Sequence, residues 1–237
     1  MHLTTDEIIL YRHGFIVLNA TLVYTWVVML LLTVMSWLVT RNISLTHRRS
    51  RWQNALEVIV SVIRQQAREI GGKGADFYVP FVGTLFLFIA LSNLLDVVPG
   101  WHAPTGSLST TIALAICVAV HVPILAIREQ GCIGYLRHYV SPTVVMLPLH
   151  IVSEFSRTLA LAVRLFGNVM SGGMIVGILL AIVPLFFPVA MQVLGLLTGI
   201  IQAYIFAILA TVYIGAAATA HEQPHPTPPA PVVRKES

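Results

Sequence analysis

The stretch LHIVSEFSRTLALAVRLFGNVMSGG, residues 149–173, decides how this chain folds. Within it Arg164 follows the uncharged residues Thr158 to Val163 and precedes a run from Leu165 to Ala220 that contains no Asp, Glu, Lys or Arg. Apolar runs of about 20 residues span the ~30 Å hydrocarbon layer as a helix. A guanidinium keeps its proton even there, because its pKa lies above about 12. An arginine at mid-membrane costs about 3 kcal/mol on insertion scales. A chain retains such a charge where it meets a partner or lines a watery path. The default reading is therefore ion or proton traffic centred on Arg164.

The polar residues around Arg164 are ordered. His150, Glu154, Arg157, Arg164 and Asn168 fall within a sector of about 80° at 100° per residue. Lipid does not accept such a face, so it meets protein, water or both. Glu154 lies one turn before Arg157, and an internal ion pair between them accounts for Arg157. Arg164 has no carboxylate within reach on its own helix. Asp96 falls near the end of another apolar span, and the remaining acids lie in loops or termini. The inventory predicts that another subunit supplies the counter-charge for Arg164.

Composition agrees. The chain has 237 residues, 57% hydrophobic and 10% charged, against about 25% charged in a soluble domain. It is predicted to be an all-α integral membrane protein of one domain, with no room for a separate soluble catalytic domain. The net charge of +4 is small and dispersed, which excludes a nucleic-acid partner and leaves membrane topology to explain the basic residues. Cys117 and Cys132 show no motif spacing, so no disulfide framework, metal site or cofactor site is expected. Asp6 and Glu7 beside Arg12 make a poor start for a signal peptide.

Five hydrophobic helices are expected, over 20–40, 77–98, 108–127, 143–183 and 185–217. The first ends at Arg41, with Arg48, Arg49 and Arg51 beyond it. By the positive-inside rule this end is cytoplasmic and the N-terminus is outside. Trp52, Leu56, Ile59, Ile63 and Ile70 recur at helical spacing among Glu57, Arg64, Arg68 and Glu69. They predict an amphipathic helix over 52–70, lying at the cytoplasmic interface or facing solvent. Pro99, Gly100, Pro104 and Gly106 mark an outside loop without Lys or Arg. The last two helices exceed the length of an upright span, so they are expected to be tilted or kinked, and antiparallel. Residues 221–237, rich in proline, are expected to form a disordered cytoplasmic tail.

Gln202 is the sole amide near the middle of the last span. It is expected to bond between helices, to orient Arg164 or water, or both. Gly172, Gly173, Gly177, Gly195 and Gly199 allow close helix packing and also leave volume for water. Asn93 and Asp96, three apart on one face, are either solvated at the rim or line an aqueous entry.

Arg164-Leu165-Phe166-Gly167-Asn168, preceded by Glu154-Phe155-Ser156-Arg157, resembles subunit a of the membrane sector of F-type ATP synthases. So do Asn93-Leu94-Leu95-Asp96-Val97-Val98-Pro99, Pro104-Thr105 and Gln202-Ala203-Tyr204, in the same order. The resemblance implies a non-enzymatic stator subunit beside a rotating ring of small hairpin c subunits, each bearing a membrane carboxylate. Peripheral-stalk b subunits and the rest of the complex are the other implied partners, in a bacterial inner membrane. It implies two offset half-channels. Arg164 would be the essential arginine, supported by Asn168 and Gln202. Asn93 and Asp96 would line the outer path, and Glu154 and His150 the inner one. The chain departs from the pattern of many proton-translocating members, which carry an acid at Gly173, a histidine or other polar residue at Gly195, and Asp and Asn at Ser107 and Ser109; some have a glutamate at His150. Protons are the implied cargo, with sodium as the alternative. The competing function is a secondary transporter whose intramembrane Arg binds an anionic substrate. It predicts an internal repeat, and the sequence shows none.

Overall fold

In a computed structural model the structure describes residues 9–13, 16–41, 51–71, 75–98, 101–140, 146–182 and 187–219. The expected tail lies outside the described residues. Six helices follow one another among them: α1 Ala20–Arg41, α2 Arg51–Gly71, α3 Ala75–Leu95, α4 Leu108–Val140, α5 Met146–Ile182 and α6 Phe187–Thr219. A single 3-10 turn, Pro104–Gly106, sits between α3 and α4. Five of the helices are long and apolar enough to cross a membrane: Ala20–Leu38, Phe77–Leu95, Leu108–Arg128, Pro148–Ile182 and Val189–Ala216. The excess length of α5 and α6 over an upright span is present as expected.

The structure departs from a purely helical chain at the N-terminus. Strand β1, Ile9–His13, pairs antiparallel with β2, Ile16–Asn19, and β2 runs directly into α1. The two-residue interval with Gly14 is the hairpin signal that helical reasoning passed over. A second departure lies in α4. Its helix continues beyond the expected end at Ile127 and breaks at Gly131, where φ is 76° and ψ is 160°. Only glycine adopts that region freely. Within this stretch the Arg128 guanidinium lies 4.3 Å from the centre of the Phe77 ring.

The core forms where α3, α4, α5 and α6 meet. Leu85, Phe88 and Ile89 of α3, Ala115 and Val118 of α4, Leu161, Ala162 and Leu165 of α5, and Ala203, Phe206 and Ala210 of α6 are buried together, with Val28 from α1. Small alanines opposite large side chains let the helices interdigitate closely, which is what drives association where lipid is as apolar as leucine. Nearby, α2 packs its Ala67 and Ile63 against Tyr78, Val79 and Val82 of α3 and Ala207 and Ile214 of α6. The Tyr78 hydroxyl donates to the Ala67 carbonyl at 3.4 Å. Glu57, Arg64 and Arg68 stay exposed on the other face, so α2 has the amphipathic character that its spacing predicts.

Two ties give the register of α5 against α6. Asn168 Nδ2 donates to the Thr198 carbonyl at 3.4 Å, and the Arg157 guanidinium lies 5.6 Å from the centre of the Tyr213 ring. Numbers fall along one helix as they rise along the other, so the pair is antiparallel.

Candidate functional site

The rotation of α5 decides what its charges can do. Leu161, Ala162 and Leu165 are buried in the core, while Ala160, Val163, Arg164 and Gly167 are exposed. Apolar burial of three side chains on one face orients the helix, so the polar stripe runs along the edge of the bundle, with Asn168 and Arg157 reaching α6 and Arg164 exposed. His150, Arg157 and Arg164 are exposed, and Glu154 and Asn168 are half-buried. No hydrogen bond, ion pair or ring contact reaches Arg164 among the described residues. Arg157 has the Tyr213 ring beside it, a cation–π contact worth about 0.5–1 kcal/mol at an exposed site.

The register of the two ties puts Arg164 level with the turn of α6 that begins at Gln202. Arg164 is exposed there, whereas Gln202 is buried. The Gln202 Nε2 has no hydrogen-bond partner among the described residues. An amide donor left unpaired inside the bundle costs about 1–3 kcal/mol, so Gln202 marks a spot where a further polar group or an ordered water would be stabilised. Gly173 and Gly195 are exposed, and a Cβ added at either would meet nothing within 4 Å.

Asn93 and Asp96 occupy different settings although they share a helix face. Asn93 is buried and forms a clamp. Its Nδ2 donates to the Gly199 carbonyl at 3.0 Å, and its Oδ1 accepts from the Thr105 hydroxyl at 3.0 Å. The backbone of α6 comes so close that a Cβ at Gly199 would lie 2.9 Å from Asn93 Cβ. Thr105 and Ser107 are fully buried, and the Ser107 and Ser109 hydroxyls are 2.7 Å apart. Asp96 instead is exposed just past the end of α3. Its Oδ1 accepts from the Ala103 N–H at 3.0 Å, which ties the carboxylate to the loop before the 3-10 turn.

The structure thus groups the sequence-derived residues in two places. His150, Glu154, Arg157, Arg164 and Asn168 line one face of α5, and Asn93 and Asp96 belong to the end of α3 near Pro104–Gly106. Gln202 stands between them, inside the bundle. Sequence reasoning missed Tyr213 and Gln192. The Gln192 Nε2 donates to the carbonyls of Asp96 and Val97, both at 3.3 Å. Its signal was an amide seven residues before Gly199, two helical turns away on the same face of a charge-free helix.

Five helices long and apolar enough to cross a membrane, packed around a hydrogen-bonded polar clamp, make this an integral membrane protein. The sequence profile of the ATP synthase A chain family matches residues 22–215. The chain is 59% identical over 228 residues to ATP synthase subunit a of Albidiferax ferrireducens, covering 96% of this chain and 98% of that one. It is 60% identical over 227 residues to ATP synthase subunit a 2 of Acaryochloris marina, covering 96% and 97%. With ATP synthase subunit a 1 of Chlorobaculum parvum the identity is 57% over 223 residues, covering 94% and 99%. The chain belongs to the ATP synthase A chain family, whose place is the membrane sector of the ATP synthase complex.

Proposed function

We propose that this chain is the ion-translocating stator subunit of a rotary F-type ATP synthase, and that Arg164 is the group past which a ring carboxylate moves. The observation that carries this reading is the exposure of Arg164, without a partner among the described residues, at the edge of the buried face of α5. A desolvated guanidinium calls for an opposite charge. The c subunits of the ring supply one each. Arg164 draws the ionised carboxylate toward it and favours release of the ion the carboxylate carried. Its fixed charge also repels cations, which prevents direct leakage between the two half-channels.

Asn168 supports Arg164 from the next turn. The free amide donor of Gln202 holds water behind the site. Asp96 stands at the mouth of the outer half-channel, with Asn93 below it as the clamp that keeps α3 on α6. Glu154 and His150 line the inner half-channel, and Glu154 serves as the counter-charge of Arg157. The orientation places the N-terminus outside and the C-terminus in the cytoplasm of a bacterium, in the inner membrane. Arg41, Arg48, Arg49 and Arg51 at one end, against a 97–107 loop without Lys or Arg, support it. Peripheral-stalk b subunits complete the stator. The chain carries no catalytic group of its own, and ATP chemistry belongs to other subunits. Protons are the cargo, with sodium as the alternative, since neither Gly173 nor Gly195 offers a titratable side chain.

The test replaces the charge. Arg164→Ala is expected to abolish ATP-driven ion transport by the reconstituted complex while the complex still assembles. Arg164→Lys is expected to fail largely as well, because an ammonium lacks the planar fork and loses its proton when desolvated. Near-normal coupled transport by either variant refutes the assignment.

A further inference from the structure

Helix α3 stops at Leu95, and its last carbonyls have no partners within the helix. Turns satisfy two of them: Val97 N–H donates to Leu94 at 3.4 Å and Val98 N–H to Leu95 at 2.9 Å. The next two carbonyls, of Asp96 and Val97, are taken by one side chain from a different helix, the Gln192 amide at 3.3 Å to each. The Asp96 carboxylate is held separately, by the Ala103 N–H at 3.0 Å. Asp96 is therefore gripped from two directions: its main chain by α6, its side chain by the loop that leads into α4. Asn93 and Gly199 form the other α3–α6 tie, one turn deeper. That tie holds the helix itself against α6, and Gln192 is what ties the main chain beyond Leu95 to α6.

We propose that Gln192 is a positioning residue that holds Asp96 at the outer mouth, fixed relative to α6, so that ions enter and leave past a carboxylate of set position. This rests on the reading of Asp96 as an outer-mouth group. Gln192 suits the task chemically. Its NH2 group has the two donors that two carbonyls require, and it adds no charge beside the carboxylate. A hydrocarbon side chain of similar length would leave two carbonyls unpaired and release the Asp96 main chain.

Whole complex reconstituted in vesicles, with the outer face of this subunit toward the lumen, is assayed for gradient-driven ATP synthesis across a range of lumenal pH. Asp96→Asn is expected to change the lumenal pH profile. Gln192→Met is expected to lower the rate and move the profile in the same direction, and the double variant is expected to be no worse than Asp96→Asn alone. Gln192→Glu acts as a titratable version: its protonated carboxyl still donates one hydrogen bond, whereas its ionised form repels both carbonyls. It is expected to support synthesis at low lumenal pH and to lose it reversibly as lumenal pH rises, even where Gln192→Met fails to assemble. An unchanged profile in both Gln192 variants, beside a changed one in Asp96→Asn, overturns the role of Gln192 alone. Losses that multiply in the double variant also overturn it, because they describe a helix tie independent of Asp96. An unchanged profile in Asp96→Asn overturns the outer-mouth reading and the proposal with it.

Discussion

Replacing Gly199 by alanine tests the tightest contact in the bundle. The added Cβ would lie 2.9 Å from Asn93 Cβ, 3.0 Å from its Cγ and 3.1 Å from its Nδ2. Carbon atoms pack best about 3.5–4.0 Å apart, so α3 and α6 must separate by roughly 0.5–1 Å. The nearest atom is a Cβ, which no rotamer change moves away. Separation stretches the bond from Asn93 Nδ2 to the Gly199 carbonyl, now 3.0 Å, to the limit of a hydrogen bond. Overpacking costs about 1–3 kcal/mol, and a buried polar group losing its partner adds about 1–3 kcal/mol. The better helix propensity of alanine returns about 1 kcal/mol. The net expectation is a loss of about 1–5 kcal/mol on these terms. The assay is the dissociation temperature and yield of the purified complex on native gels. Gly195→Ala is the control, because its Cβ meets nothing within 4 Å, and it is expected to behave as the parent. Adding Asn93→Ala to Gly199→Ala is expected to rescue only partly, since the offending Cβ remains. A Gly199→Ala complex as stable as the parent, or a Gly195→Ala complex equally weakened, refutes the reasoning.

Three further experiments address the partner face, the topology and the ion. Single cysteines at the exposed positions Ala160, Gly167 and Ser171 are expected to crosslink to the ring subunit, while cysteines at the buried Leu161 and Ala162 are not; equal crosslinking around α5 contradicts a one-sided contact. In a background lacking Cys117 and Cys132, a cysteine at Gly106 is expected to label from outside and cysteines at Ser50, Gln130 and Gln223 from inside. External labelling at Gln223 reverses the orientation of α6. ATP-driven transport that needs no sodium and is abolished by a protonophore establishes protons as the cargo, whereas protonophore-resistant uptake of labelled sodium establishes sodium and leaves the role of Arg164 intact.

Much of the architecture was legible in the chain because a bilayer imposes a length on every span and penalises charge inside it. Both constraints act along the sequence, so the five spans, the amphipathic character of α2 and the isolation of Arg164 needed no coordinates. The N-terminal hairpin and the extension of α4 to Gly131 escaped this reading, since neither depends on hydrocarbon thickness. Helical periodicity gave the polar stripe of α5 but not which neighbours flank it. Leu161 lies within about 60° of Arg164 on a helical wheel, yet it is buried and Arg164 is exposed. That boundary depends on how α5 is rotated against α4 and α6. The same holds for the amides. Asn93, Gln192 and Gln202 are alike in a one-dimensional pattern. Only packing makes the first a doubly bonded clamp, the second a cap on the end of α3 and the third a buried amide whose donor has no partner among the described residues. A hydrogen bond needs both partners within about 3 Å, and the partners of Asn93 and Gln192 come from distant parts of the chain. The sequence by itself determined which residues have to be in the membrane; the tertiary structure decided which of them face each other and which face out, because close packing of small and large side chains fixes helix rotation to a fraction of a turn.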